Sequence, residues 1–314
     1  MANYHSIYLH NTIKMSIYVN TKSSFPFKTR SNLSRSSRAC TAVVAQNHSY
    51  WAAIEADIDT YLKKSIAIRS PETVFEPMHH LTFAAPRTAA SAICVAACEL
   101  VGGERSQAIA TASAIHIMHA AAYAHEHLPL TDRPRPNSKP AIQHKYGPNI
   151  ELLTGDGMAS FGFELLAGSI RSDHPNPERI LRVIIEISRA SGSEGIIDGF
   201  YREKEIVDQH SRFDFIEYLC RKKYGEMHAC AAASGAILAG GAEEEIQKLR
   251  NFGHYAGTLI GLLHKKIDTP QIQNVIGKLK DLALKELEGF HGKNVELLCS
   301  LVADASLCEA ELEV

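Results

Sequence analysis

The sequence predicts an all-α protein organised as one helical domain, and three observations carry that reading. Apolar residues recur at helical spacing in segment after segment, no alternating strand pattern of useful length appears, and alanine and glycine are frequent within the helical segments. Small residues let helix backbones approach closely, and a bundle built this way can enclose a central cavity.

The elements follow in order. YWAAIEADIDTYLKKSI places Trp51, Ile54, Ile58 and Leu62 on one helical face, and Pro71 ends the segment. TAASAICVAACELVGG forms a second helix closed by Gly102 and Gly103. ERSQAIATASAIHIMHAAAYAHEH forms a third, stopped before Pro129 and followed by the Pro- and Arg-rich loop LPLTDRPRPNSKPA. IELLTGDGMASFGFELLAGSI and NPERILRVIIEISRASG are two further helices. DFIEYLCRKKYGEMHACAAASGAILAGG reads as one long helix or two abutting ones, and EEEIQKLRNFGHYAGTLIGLL and VIGKLKDLALKELEGF complete the set.

The first 47 residues differ from the rest. They contain no Asp or Glu, six Lys or Arg, and the hydroxyl-rich string TRSNLSRSSRACTAVVAQ, the pattern of a plastid transit peptide. Residues 1–47 are therefore expected to be a disordered, cleaved leader and residues 48–314 the helical domain. Without the leader the formal charge moves from −2 to about −8. A mildly acidic surface argues against nucleic acid and against an anionic membrane as partner. No apolar run reaches the roughly 18–20 residues that span a bilayer. Seven scattered cysteines point to thiols in a reducing compartment, here the plastid stroma.

Several strings in register, CVAACELVGG, IMHAAAYAHEHLPLTD, KPAIQHKYGPNIELLTGDGMASFGFELLAG and GAILAGGAEEEIQKLRNFG, resemble the trans-isoprenyl diphosphate synthases of the plant geranylgeranyl diphosphate branch. The likeness runs from about Trp51 to beyond Asp268. It implies an isoprenoid-synthase-type helical bundle around a central cavity. It also implies a chemistry in which an allylic diphosphate ionises while magnesium ions, held by two aspartate-rich motifs on facing helices, neutralise the leaving group.

This chain departs from that pattern at the aspartates. The first motif falls on Glu126, His127 and Asp132, and the second on His264, Lys265 and Asp268. The glutamine that precedes the second motif in the family is Gly261 here. Magnesium requires oxygen ligands. A unit charge 4 Å from another is worth roughly 4 kcal/mol at an effective dielectric of 20, so a lysine is repelled by a divalent ion by about twice that. The resemblance thus implies a chain with no catalytic residues and no cofactor of its own. It implies a small subunit beside a catalytic large subunit of the geranylgeranyl type that holds the Mg2+, in a heterodimer or a heterotetramer. The pair would steer dimethylallyl and isopentenyl diphosphates toward geranyl diphosphate for monoterpenes. A subunit that instead enhances C20 synthesis, a prenyltransferase active by itself, and a metal-dependent hydrolase at His125, Glu126 and His127 are the alternatives.

Three matches to the family's substrate-binding positions survive. Arg87 in APRTAA keeps the first charge of a Gly-Gly-Lys-x-x-Arg string in which Ala90 replaces the arginine, and His119 and Lys223 match positions near the two diphosphates. They imply a residual diphosphate pocket, or simple retention within the fold. Cys94, Val95, Ala96, Ala97 and Cys98 form a Cys-x-x-x-Cys pattern implicated by the resemblance in subunit pairing. Cys230 and Ser234 form an imperfect second copy, and both strings read equally as small core residues. The glycines of LTGDG follow no strand and so are not expected to cradle phosphate, and AEEEIQKLR reads as a solvated helix face with its acids at the N-terminus.

Overall fold

The computed structural model describes residues 33–128, 144–170, 176–205 and 213–303, with side chains in the first helix described from residue 47 onward. Two units are distinguished, Met1–Val43 and Val44–Val314. Of the leader expected over residues 1–47, residues 1–32 lie outside the described residues and residues 33–47 fall in the first helix. The described residues form twelve α-helices: α1 (Leu33–Ser65), α2 (Glu72–Ala84), α3 (Ala89–Leu100), α4 (Arg105–His127), α5 (Pro148–Gly168), α6 (Pro177–Ser191), α7 (Ile196–Glu205), α8 (Phe213–Cys220), α9 (Glu226–Ala239), α10 (Glu243–His264), α11 (Pro270–Glu286) and α12 (Lys293–Ala303). Among the described residues there is no strand, as expected, and no single helix is long and apolar enough to cross a membrane.

Helix α9 is the centre of the bundle, packed by α3, α4, α6 and α10. Every residue from Met227 to Leu238 is buried, so the helix has no solvent face and its alanine-rich composition is a packing requirement. Gly235 shows how close the neighbours come. A Cβ there would lie 2.1 Å from the Cys94 carbonyl oxygen and 2.9 Å from the Cys98 nitrogen of α3. Near the other end of the helix, a Cβ at Gly253 of α10 would lie 2.3 Å from the His228 carbonyl oxygen. The helix ends at Gly240, in the left-handed region at φ +81°, where the Gly241 N–H donates to the Ala236 carbonyl at 2.9 Å.

The periodic face of α1 behaves as the spacing requires, with Ile54, Ile58 and Leu62 fully buried and Trp51 9% exposed. Gly102, at φ +90°, and Gly103, whose N–H donates to the Cys98 carbonyl at 2.9 Å, close α3. Side-chain caps begin three helices: Thr88 accepts from the Ala90 N–H at 3.3 Å, Asn176 from Glu178 at 2.9 Å and Thr269 from Ile272 at 3.4 Å.

Three helices were not anticipated. Helix α2 carries Pro77 in its interior and is bracketed by Pro71 and Pro86, which read locally as breaks, yet Met78, Leu81 and Thr82 are buried in the core. Helices α7 and α12 are ten and eleven residues long, too short for propensity to show them without the packing that holds them. The DFIEYLC…LAGG segment is two helices joined through one π-helical turn, Arg221–Gly225. Such turns insert a residue and redirect the side chains that follow.

Candidate functional site

A cavity of about 360 Å³ opens between α4, α7, the π-helical turn and the ends of α9 and α10. Helix α4 supplies His119, Tyr123, Glu126 and His127, three and four residues apart and hence on one face. Arg87 and Thr88 enter from the start of α3, and Ile196, Phe200 and Glu203 from α7. Lys223, Tyr224, Met227, His228, Ile260, His264 and Lys265 complete the wall. Seven residues singled out from the sequence therefore meet at one place: Arg87, His119, Glu126, His127, Lys223, His264 and Lys265.

The chemistry of that place is a closed ionic network. The Lys223 ammonium donates to Glu126 and, at 2.8 Å, to Glu203 Oε2, and lies 5.0 Å from the centre of the Phe200 ring. Lys265 Nζ reaches Glu203 Oε1 at 3.4 Å. The Lys223 side chain is 8% exposed. Burial would lower its pKa, but Glu126 and Glu203 outweigh burial and hold it above the usual lysine value. Burial likewise acts to raise Glu203, and Lys223 and Lys265 overcome it and keep the carboxyl below the usual range. Both carboxylates that line the cavity are thus already paired.

Burial holds two of the wall imidazoles neutral. His119 lies on the wall with its Nε2 buried and unpartnered, and burial together with His116 pushes its pKa down to about 3. Burial brings His228 to about 4; its Nδ1 donates to the Tyr224 carbonyl at 2.8 Å and its Nε2 has no partner. Arg87 pairs with Asp59 of α1 and leaves Nη1 buried and unbonded. Tyr224 fills the space beside Gly261, where a Cβ would lie 2.7 Å from its ring. The position that carries glutamine in the family has given its volume to this aromatic ring.

These residues do not fit magnesium. The two carboxylates of the cavity face ammonium groups, the other polar groups of the wall are imidazoles, the hydroxyls of Thr88, Tyr123 and Tyr224 and the Arg87 guanidinium, and magnesium asks for nearly all-oxygen octahedral ligation. Of the remaining aspartates in the two motifs, Asp132 lies outside the described residues. Asp268 does not reach the cavity: it is exposed, and its Oδ1 accepts from Gln273 at 3.1 Å. Within its motif Asp268 thus stands apart from His264 and Lys265, beyond Lys266 at φ +51°.

The His125, Glu126, His127 string diverges. His125 bonds to the Leu152 carbonyl of α5 at 3.1 Å, Glu126 to Lys223, and His127 to the Tyr123 carbonyl at 2.8 Å. Among the described residues no three His, Cys, Asp or Glu side chains converge on a metal position. Gly155 of LTGDG lies within α5, where a Cβ would strike His125 Nε2 at 2.2 Å, so this glycine serves helix packing.

Of the two readings of the cysteine strings, subunit pairing and small core residues, the second describes their place within this chain. Cys94, Val95, Ala96, Ala97 and Cys98 are fully buried, as are Cys230 at 2% and Ser234 at 0% exposure, inside the contact of α3 with α9. Their side chains are core: the small volumes that suggested a contact surface are used within the chain. Burial raises the Cys98 and Cys230 thiols to about 12, which leaves them unreactive.

Sequence reasoning missed Glu203, Phe200, Tyr224 and His228. Glu203 sits in IIDGFYREKE, a stretch with an amphipathic pattern and several charges, but nothing local marks which acid turns inward.

Comparison with known proteins agrees with this geometry. The polyprenyl synthetase family profile matches residues 71–285. The chloroplastic heterodimeric geranylgeranyl pyrophosphate synthase small subunit 2 of Cannabis sativa is 48% identical over 265 residues, covering 81% of this chain and 90% of that protein. The geranyl diphosphate synthase small subunit from Antirrhinum majus is 57% identical with a TM-score of 0.77, over 82% of this chain and 98% of that one. A chain of a deletion mutant of the heterotetrameric geranyl pyrophosphate synthase of mint is 68% identical with a TM-score of 0.72, over 82% and 99%. With its helical bundle, its cavity and the profile match over residues 71–285, the chain belongs to the polyprenyl synthetase family.

Proposed function

We propose that this chain is the non-catalytic small subunit of a plastid heteromeric geranyl diphosphate synthase. It pairs with a catalytic large subunit of the geranylgeranyl type, in a heterodimer or a heterotetramer, and biases that subunit toward the C10 product. The observation that carries the proposal is the cavity's charge balance: Glu126 is bound to Lys223, and Glu203 to Lys223 and Lys265, so magnesium and the ionisation it drives belong to the partner. Similarity to the mint and Antirrhinum proteins supports the C10 assignment. A partner alters product length either by narrowing the elongation cavity across the interface or by hastening release. Arg87, with a buried and unbonded Nη1 donor, is the residue left to hold a diphosphate here; His119 donates to the Pro86 carbonyl and so offers only a lone pair at Nε2.

A second reading, a subunit that enhances C20 synthesis, is favoured by the 48% identity to the Cannabis sativa protein. One assay separates the two. The chain from residue 48 is incubated with dimethylallyl and isopentenyl diphosphates and Mg2+, alone and with a large subunit. The expected result is no product alone and C10 in place of C20 in the mixture. More C20 without C10 favours the second reading, and turnover by the lone chain overturns both.

A further inference from the structure

The three cations of the cavity wall do not find their counter-ions in the same way. Lys223 and Lys265 are answered from within the wall, by Glu126 and Glu203. Arg87 is answered from behind it. Its Nη2 pairs with Asp59, which stands on α1 directly after the fully buried Ile58 and is not part of the cavity lining. Among the described residues neither side chain has a second ion-pair partner, and Arg87 Nη1 is buried and unbonded. The two side chains are 26% and 30% exposed, so water and salt screen the pair less than one on the open surface. An anion that reaches Arg87 therefore meets a neutral pair in place of a free cation. A carboxylate at about twice the distance of the guanidinium returns about half of its attraction, because Coulomb energy falls only as the inverse of distance. A diphosphate carries several negative charges, and each of them feels that loss.

We propose that Asp59 is a specificity-determining residue: it is the internal counter-ion of Arg87, competes with diphosphate for the guanidinium and holds the cavity's affinity for that anion low. The proposal rests on the reading of Arg87 as the residue left to hold a diphosphate, and goes beyond it by naming what opposes that hold. It depends neither on the partner subunit nor on product length.

The test is the binding of inorganic diphosphate to the whole chain and its variants, by isothermal titration calorimetry at fixed ionic strength without divalent ions, with circular dichroism to confirm the fold. Asp59→Asn keeps the shape of the side chain and removes its charge. It is expected to bind diphosphate about tenfold or more tightly than the unaltered chain. Asp59→Asn with Arg87→Met removes both charges together, leaves no ion unpaired and is expected to bind none. If Asp59→Asn does not fold, Asp59→Ala at the same part-exposed helix position takes its place in both measurements. Equal or weaker binding by the folded Asp59 variant overturns the proposal. If the double variant still loses the anion in that case, the reading of Arg87 survives. Diphosphate bound by no variant, or bound equally well by the double variant, overturns the reading of Arg87 and the proposal with it.

Discussion

Gly235→Ala is expected to lower the melting temperature by about 5–10 °C, followed by the fluorescence of Trp51, the sole tryptophan. The added methyl carbon would sit 2.1 Å from the Cys94 carbonyl oxygen, and what must move is helix backbone with no rotamer of escape. Forcing α3 away from α9 opens the contact on which the bundle is centred, so the cost is set at the upper end of the 1–3 kcal/mol typical of overpacking. Gly157→Ala is the control. A Cβ at Gly157 meets nothing within 4 Å, and alanine in a helix is favoured over glycine, so this variant should melt at or slightly above the parent. A Gly235→Ala protein that melts with the parent would mean that α3 and α9 do not cross this closely.

Acid sensitivity is the second large effect, and it comes from histidines buried in neutral form. Burial lowers His116 to about 4, His119 to about 3 and His228 to about 4, each from an ordinary value near 6.5. Their surroundings are fixed: His116 Nε2 bonds to the Thr82 carbonyl at 2.9 Å with Arg87 nearby, and His264 faces both His119 and His228. A base whose folded pKa is depressed favours the fold above its unfolded pKa. That stability drains away as pH falls from about 6.5 toward 4 and 3, because the unfolded chain takes up protons the folded chain refuses. Three such groups give a slope of up to about 4 kcal/mol per pH unit. Against a typical total of about 5–15 kcal/mol, the chain should unfold between about pH 5 and pH 4. Denaturant titrations of Trp51 fluorescence at a series of pH values test this. His119→Gln should reduce the slope by close to one proton, and a stability that is flat from pH 7 to pH 4 would show that these histidines are not buried neutral.

Much of the candidate site was legible because it rests on residue types at fixed places in a familiar frame. The substitution of Asp by Glu126, His127, His264 and Lys265 removes hard oxygen ligands wherever the side chains point, and that chemistry follows from identity alone. What those residues do instead was not legible. Glu126 and Lys223 are 97 residues apart and Lys223 and Glu203 are 20 apart, and no local pattern says that they touch. The cysteine strings are ambiguous for the same reason. CVAAC and CAAAS look alike whether their small side chains face a partner or each other, and only the close approach of α3 to α9 decides it.

The sequence by itself determined the helices of α1, α3 to α6 and α9 to α11, the caps that end them and the loss of the metal-binding carboxylates. These depend on short-range periodicity, on single residues and on the chemistry of side chains. The tertiary structure alone decided that Lys223 enters the cavity through a π-helical turn, that Glu203 answers it, that Tyr224 fills the room at Gly261 and that Asp268 faces solvent. Each depends on which helix faces meet and how far a side chain reaches across the gap, and those distances exist only once the bundle has closed.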